Sequence, residues 1–180
     1  MTRDQVLQEY RDAGALLEGH FILSSGLRSP VYMQSARVMM DPARGERLCK
    51  ALAAKVRAQF KGRIDLVVSP AMGGVVVGYE LARQLGVPSL FTERVDGVFQ
   101  LRRGFDIPKG AQVLMCEDVV TTGKSSKECM DCIAQYGGTT VVAAVLTPAP
   151  YGENARRFGL PDPTFKSAPG VAVDFNRSST

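Results

Sequence analysis

The sequence predicts an α/β fold in which a central, mostly parallel β-sheet is flanked by helices. Beyond Gly62, short apolar segments alternate with helical segments, which is the pattern of a parallel sheet covered on both faces. Glycines stand where the predicted helices begin or end. The 180 residues are 45% hydrophobic and 22% charged, a composition typical of one globular domain.

The first 60 residues predict two helices separated by a region of turns. Residues 3–18 carry apolar side chains spaced for one helical face. A stretch rich in Gly, Ser and Pro follows at residues 19–30, and a short extended run at residues 31–34. Asp41 and Pro42 open a second helix. Its apolar positions recur every four residues: Leu48, Leu52, Val56 and Phe60.

The rest of the chain predicts strands and helices in alternation. The predicted strands are residues 64–69, 89–92, 112–116 and 140–146, and the predicted helices are residues 73–85 and 124–136. Residues 94–109 are polar and contain two glycines, which favours a long loop or hairpin. The chain after residue 148 predicts an irregular tail with a short strand at residues 171–174. In sheets of this kind, ligands bind at the carboxyl ends of the strands.

Charge and hydropathy exclude two classes of partner. No apolar run approaches the roughly 20 residues of a membrane helix, and the N-terminus lacks the apolar core of a signal peptide, so we expect a cytoplasmic protein with no membrane partner. The net charge is +4. Its two arginine pairs (102–103 and 156–157) lack interleaved aromatic residues, so we expect no nucleic-acid partner. A modest positive charge suits a small phosphorylated ligand.

Four cysteines are present, and two of them, Cys129 and Cys132, form a Cys-x-x-Cys. A zinc site needs four ligands, and the chain offers no second pair and a single histidine, His20. We therefore expect no metal bound by protein ligands and interpret the pair as reduced thiols packed on a helix face. For His20 a structural role is favoured over a catalytic one.

The strongest chemical signal is residues 113–125. An apolar strand delivers two adjacent acids, Glu117 and Asp118, to a loop of small residues that leads into a helix. Free amides, hydroxyls and the positive end of the helix dipole make such a loop a phosphate cradle. Adjacent carboxylates can accept hydrogen bonds from the neighbouring hydroxyls of a sugar. The glycine spacing fits neither a Walker A loop nor a dinucleotide fingerprint.

This segment resembles the binding motif for phosphoribosyl pyrophosphate (PRPP) of type I phosphoribosyltransferases: four apolar residues, two acids, two apolar residues, Thr-Thr-Gly and a hydroxyl residue. Three more segments resemble orotate phosphoribosyltransferases. Residues 19–30 are similar to the family's N-terminal hood, residues 69–74 to its pyrophosphate loop, and residues 93–105 to its mobile catalytic loop. The resemblance runs from about residue 7 to residue 146.

The resemblance implies one Rossmann-like domain over residues 1–180, with a small N-terminal hood at about 1–40, a core at about 41–147 and a tail at about 148–180. The implied activity joins ribose 5-phosphate from PRPP to orotate in pyrimidine (UMP) biosynthesis, with Mg²⁺ as cofactor. The implied assembly is a homodimer whose mobile loop serves the partner's site.

The resemblance also assigns roles to residues. Arg94 and Asp118 would be catalytic. Glu117 and Asp118 would hold the ribose hydroxyls, the 121–125 segment the 5-phosphate, and the 71–74 backbone the pyrophosphate. The implied PRPP-binding residues are Ala71, Met72, Gly73, Gly74, Arg94, Glu117, Asp118, Val119, Val120, Thr121, Thr122, Gly123, Lys124 and Ser125, and the implied orotate-binding residues are Tyr32, Thr121 and Arg28.

Some positions depart from the family pattern. Many relatives carry lysine in the mobile loop where this chain has Val98, and branches of the family carry lysine at Gly73 or Ser24. The usual Asp-Arg-Ser after the last strand is replaced by residues 146–150, Leu-Thr-Pro-Ala-Pro. A carboxylated base needs a fixed cation, and Arg28 is our candidate. Two alternatives stay open: a phosphoribosyltransferase for another base, and a non-catalytic PRPP or nucleotide sensor.

Overall fold

A computed structural model describes residues 1–22, 28–120 and 123–146, and the backbone of residues 171–173. The helices are α1 (Arg3–Asp12), α2 (Ser35–Met39), α3 (Pro42–Gln59), α4 (Gly73–Leu85) and α5 (Lys124–Gln135). The strands are β1 (Leu16–Ile22), β2 (Arg28–Met33), β3 (Leu66–Pro70), β4 (Ser89–Val95), β5 (Val98–Leu101), β6 (Gln112–Glu117), β7 (Thr139–Val145) and β8 (Val171–Val173).

Six strands form the main sheet in the order β5-β4-β3-β6-β7-β8. Five of them are parallel and β5 alone runs antiparallel, which confirms the predicted α/β class. The chain continues from β3 to β4 on one side, whereas β6 and β7 lie on the other side of β3. The strand order therefore reverses between β3 and β6. In open α/β sheets this switch point is where ligands bind.

Both faces of the sheet are covered, and successive side chains of β6 show it. Leu114 and Cys116 belong to the core that includes α3 and α4, whereas Val113 and Met115 belong to the core beneath α5. All four are fully buried. A strand buried on both faces reads as a continuous apolar run, which is why β6 stood out in the sequence.

The N-terminal region is a two-stranded antiparallel hairpin of β1 and β2, with α1 and α2 beside it. The predicted helix over residues 3–18 is too long. It ends at Asp12 because Gly14 adopts a positive φ of 59°, and Leu16 then begins pairing with Met33 of β2. Cross-strand pairing thus overrides the apolar spacing that had favoured helix.

β2 begins three residues before the extended run predicted at residues 31–34, and α2 was not predicted, whereas the boundaries after residue 40 agree more closely with the structure. The Asp41 side chain accepts hydrogen bonds from the amides of Ala43 and Arg44, and Pro42 is the first residue of α3. The predicted hairpin after residue 94 is formed by β4 and β5, which meet at Asp96 and Gly97, both with positive φ. β4 is longer than predicted because that pairing extends it to residue 95.

Cys129 and Cys132 lie on the buried face of α5, as the packing interpretation predicted, and all four cysteines are free and buried. Burial raises the pKa of Cys49 and of Cys129 to about 12, so both stay protonated at neutral pH. In the parts of the chain that the structure describes, none of the helices is both long enough and apolar enough to cross a membrane. The short strand predicted near residue 171 is present as β8. Arg156 and Arg157 lie outside the described residues.

Gly78 lets α4 lie directly on β3, and substituting it tests that packing. A Cβ at Gly78 would overlap Ser69 Oγ and stand 3.0 Å from Ser69 Cβ. We expect Gly78→Ala to lower the free energy of unfolding by about 1–3 kcal/mol, the usual range for overpacking. Ser69→Ala in the same chain should restore part of the loss. Urea denaturation of the three variants measures both effects.

Gly45→Ala is the matched control, because its Cβ would meet only the flexible end of Met39. Alanine has the higher helix propensity, so we expect this change to be neutral or to stabilise by up to about 1 kcal/mol. Equal losses at Gly78 and Gly45 would contradict the packing explanation.

Candidate active site

Two loops meet at the switch point of the sheet. The first follows β3 and consists of Ala71 and Met72, joined by a cis peptide bond, before α4 begins at Gly73. The Ala71 amide donates a 2.8 Å hydrogen bond to the carbonyl of Thr92 in β4. The second loop follows β6 and leads from Glu117 to α5. The pyrophosphate-loop and PRPP-motif segments of the sequence are thus neighbours in space.

Gly73 and Asp118 approach each other closely across these two loops. A Cβ at Gly73 would stand 2.7–2.8 Å from the carboxylate atoms of Asp118. At Gly74 a Cβ would stand 3.2 Å from Ser69 Cβ and 3.3 Å from the carbonyl oxygen of Cys116. Only glycine fits at residue 73 while Asp118 keeps this position. The lysine found there in one branch of the family would therefore require Asp118 to move.

Glu117, the first acid, is 8% exposed and lies at the end of β6. Its carboxylate accepts a short hydrogen bond from the hydroxyl of Ser126, which is fully buried on α5. Burial raises the pKa of Glu117 to about 7, and the charge of Asp118 adds to the rise. The Ser126 hydrogen bond and the positive charge of Arg94 oppose it.

Asp118, the second acid, is half-buried at the start of the loop. Burial raises its pKa, while hydrogen bonds from the Val119 amide, from its own amide and from the Ser35 hydroxyl oppose the rise. Three donors thus fix the carboxylate beside Gly73. Ser35 is the first residue of α2, so the N-terminal region contacts this site directly.

The N-terminus of α5 borders the same loop. Gly123 has a left-handed φ of 76° and starts the helix, with Lys124 exposed and Ser125 half-buried in its first turn. First-turn amides have no partner within a helix, and the helix dipole adds positive charge, so an anion is favoured here. Val120 is buried beneath the loop. Thr121 and Thr122 lie outside the described residues.

Arg94 is held by contacts within this chain. Its guanidinium donates a 2.5 Å hydrogen bond to Glu128 of α5 and a 2.8 Å one to the carbonyl of Gly97, and it lies 4.0 Å above the ring of Phe99. Its charge still acts on Glu117. The structure thus places Arg94 at the edge of the site and in an ion pair. Of the two arginines at 102 and 103, the second makes a bidentate pair with Glu93.

The candidate base-binding residues lie in the hairpin of β1 and β2. Tyr32 is half-buried and packs on Phe21, with ring centroids 5.5 Å apart. Arg28 is exposed at the start of β2, and His20 is exposed on β1. Ser24 lies outside the described residues. Among the described residues, no hydrogen bond, ion pair or ring contact joins Tyr32 or Arg28 to the two loops.

Three residues of this site escaped sequence reasoning: Ser35, Ser126 and Glu128. Ser126 follows the motif by one position, and its side chain turns back to Glu117 because it begins the buried face of α5. Glu128 lies a further half-turn along and pairs with Arg94. Ser35 stands 83 positions before Asp118. The spacing of a motif within one segment does not predict hydrogen bonds or ion pairs made by side chains outside that motif.

The donor set fits a magnesium ion carried by the substrate. Among the described residues, no group of three His, Cys, Asp or Glu side chains is placed to hold a metal ion. Mg²⁺ commonly binds through substrate phosphates, waters and at most one or two carboxylates. A site with two acids beside a phosphate cradle agrees with that mode.

Comparisons with known proteins agree with the geometry. The family model described as a phosphoribosyl transferase domain matches residues 41–167. The chain is 58% identical to an orotate phosphoribosyltransferase of Maricaulis maris over 85% of this chain and 79% of that protein. It is 56% identical to that of Sphingopyxis alaskensis over 97% of this chain and 86% of the relative.

A solved structure of an orotate phosphoribosyltransferase, from Aeropyrum pernix, superimposes with a TM-score of 0.63 at 28% identity, covering 86% of this chain and 89% of that one. The type I fold, with its two loops at the switch point, is therefore shared. Identity above one half over most of both chains goes well beyond a shared fold, and this chain belongs to the orotate phosphoribosyltransferase family.

Proposed function

We propose that this chain transfers ribose 5-phosphate from PRPP to orotate, giving orotidine 5′-phosphate and pyrophosphate in pyrimidine (UMP) biosynthesis. One observation carries the proposal: the Asp118 carboxylate and the Gly73 backbone are in contact at the switch point. A diol-binding acid and a loop that could bind pyrophosphate are thus adjacent, as the two ends of a single PRPP molecule require. Similarity to relatives named orotate phosphoribosyltransferases supports orotate as the base.

In this proposal the two loops bind different parts of the PRPP molecule. Glu117 and Asp118 accept hydrogen bonds from the two ribose hydroxyls, because ionised carboxylates are pure acceptors. The loop from Val119 to Ser125 and the N-terminus of α5 bind the 5-phosphate. The backbone from Ala71 to Gly74 binds the pyrophosphate, helped by the N-terminus of α4.

Catalysis then depends on positioning and electrostatics. The bond from C1 of the ribose to the pyrophosphate oxygen breaks toward an oxocarbenium-like state, and the nitrogen of the anionic orotate attacks C1. Arg94 stabilises negative charge on the leaving pyrophosphate once it exchanges Glu128 for substrate. Mg²⁺ bound with PRPP would supply further charge neutralisation. Orotate would stack on Tyr32 and pair with Arg28.

We further propose a cytoplasmic homodimer in which residues 93–105 serve the partner's site. The exposed apolar side chains of α4 support an interface beside the site: Val76 and Tyr79 are 52% and 66% exposed, and Met72 just before them is 80% exposed. Three such residues at helical spacing form an apolar strip next to the pyrophosphate loop. A second copy of the chain would cover it.

Turnover of a panel of bases tests the proposed function. We expect PRPP-dependent consumption of orotate, with pyrophosphate released in equal amount, and little reaction with adenine, hypoxanthine or uracil. A faster reaction with another base would identify that base, and not orotate, as the substrate. PRPP binding without any turnover would favour the sensor, the alternative suggested by the exposed Val98 in place of a loop lysine.

The raised pKa of Glu117 predicts a pH-dependent stability. Binding ribose hydroxyls requires an ionised Glu117, and burial opposes that ionisation. An acid whose pKa is higher in the folded state contributes stability that is fully present below its unfolded pKa, 4.5, and lost as pH rises through about 7. Without substrate, the protein should therefore lose stability between pH 5 and pH 8, on the order of 3 kcal/mol from this group.

Glu117→Gln should lack that loss, since the amide stays neutral and still accepts from Ser126. Urea denaturation of both proteins at pH 5, 6, 7 and 8 measures the difference. Asp131→Asn, which removes an exposed acid on α5, is the control and should follow the unsubstituted protein. Parallel curves for Glu117→Gln and the unsubstituted protein would show that Glu117 does not titrate in this range.

Mixing two inactive variants tests the shared loop. Arg94→Ala should remove the loop's contribution, and Asp118→Asn should remove the ribose contact. If the loop serves the partner's site, one of the two sites in a mixed dimer receives both intact halves, so each mixed dimer should regain about half of the original activity, and a statistically exchanged mixture about a quarter. Activity assays after confirmed subunit exchange measure it. Absence of recovery would mean that each subunit supplies its own Arg94.

A further inference from the structure

We infer that Tyr10 and Ser35 form a hydrogen-bonded relay that positions the Asp118 carboxylate for PRPP. The inference rests on the proposed function, in which Asp118 binds a ribose hydroxyl. Tyr10 belongs to α1 and Ser35 begins α2, so both come from the N-terminal 40 residues. Neither lies in a segment that resembles a functional motif of the family.

The two hydroxyls are buried together. Tyr10 is 0% exposed and Ser35 is 1% exposed, and their oxygens are 2.9 Å apart. The Tyr10 ring packs in the apolar core beneath α3 and α4. Burying a hydroxyl in such surroundings is costly unless it is hydrogen-bonded. Packing alone would be served by phenylalanine at residue 10, so the hydroxyl needs another explanation.

The direction of the hydrogen bonds follows from counting protons. In the proposed ribose contact Asp118 is ionised, and an ionised carboxylate can only accept, so Ser35 donates its one hydroxyl proton to Asp118. In the 2.9 Å contact the Ser35 oxygen must therefore accept, and Tyr10 must donate. The O–H dipoles of Tyr10 and Ser35 then both point toward the Asp118 carboxylate. Hydrogen bonds aligned in series polarise one another, so Tyr10 strengthens the bond that Ser35 makes.

The relay fixes the rotation of the Asp118 carboxylate, which the backbone of the loop leaves free. The amides of Asp118 and Val119 bind the carboxylate from the backbone, and Gly73 closes off the space beside it. Ser35 supplies the side-chain donor and holds the rotation of the carboxylate. The lone pairs left over then face the ribose site. Tyr10 and Ser35 are accordingly positioning residues that act through Asp118.

The neighbouring residue on α1 anchors the relay. Glu9 forms ion pairs with Arg44 and Arg47 of α3, each at 3.0 Å. The side-chain hydrogen bond from Arg47 leads the effects that lower the pKa of Glu9, so the pairs persist at neutral pH. Helix α1 is thereby fixed on α3 one residue before Tyr10.

PRPP affinity, measured by calorimetry, tests the relay. Ser35→Ala removes the direct donor, and we expect the Kd for PRPP to rise about tenfold, as for loss of a hydrogen bond to a charged group. Tyr10→Phe keeps the ring and removes only the remote donor, so we expect about a threefold rise. In an Asp118→Asn background, both changes should alter Kd by less than about twofold, because the charge they act on is gone.

Val6→Ala is the matched control, since Val6 is fully buried on the same helix and makes no part of the relay. It should lower stability to urea without weakening PRPP binding. If Val6→Ala weakens PRPP as much as Tyr10→Phe, loosening of α1 explains the effect and the relay is wrong. If Asp118→Asn weakens PRPP but Ser35→Ala and Tyr10→Phe do not, the relay alone is overturned. If Asp118→Asn binds PRPP normally, the proposed role of Asp118 fails.

Discussion

The site depends on one constraint: two adjacent carboxylates, one buried and one half-buried, lie at the end of the central strand. Removing Glu117 and Asp118 from water disfavours their charged forms, and the charge of Asp118 further disfavours that of Glu117. The surrounding structure supplies the donors that make this tolerable. Ser126 on α5 binds the first acid, while two backbone amides and Ser35 bind the second. Donors from three segments of the chain thus converge on two side chains, and their geometry follows from the need to pair them.

The same constraint explains the glycines of the first loop. A carboxylate placed at the switch point leaves no room for a side chain at Gly73, so residue 73 presents only its backbone to Asp118. Backbone amides that point at an anion act as fixed partial positive charges. Fixed charges stabilise a departing charged group without having to reorient. In the proposed mechanism, this chain relies on the loop backbone and on Arg94 where some relatives carry lysine. Arg94 is in an ion pair with Glu128 and would have to leave it to act.

Sequence reasoning predicted those parts of this arrangement that depend on residues close together in the chain. The apolar run of β6, the glycines before α4 and the Asp41 cap each depend on neighbours within a few positions, and their elements appeared where expected. The helix over residues 3–18 failed because pairing between β1 and β2, rather than side-chain spacing, decides residues 16–18. The donors Ser35 and Ser126 were missed for a related reason. Serine is common on surfaces, and only the fold shows that these two are buried against acids.

The N-terminal region therefore does more than cover the site, because it supplies a hydrogen-bond donor to Asp118. An acid that needs a donor from another element can bind its ligand well only when that element is folded onto it. In this chain α1 and α2 supply that donor, and the Glu9 pairs with α3 hold them in place. Loosening α1 would uncover Val6 and Tyr10, which are fully buried, and would also release the Asp118 carboxylate from one of its three donors. If Asp118 binds the ribose as proposed, folding of the first 40 residues and affinity for the ribose are coupled through a single carboxylate.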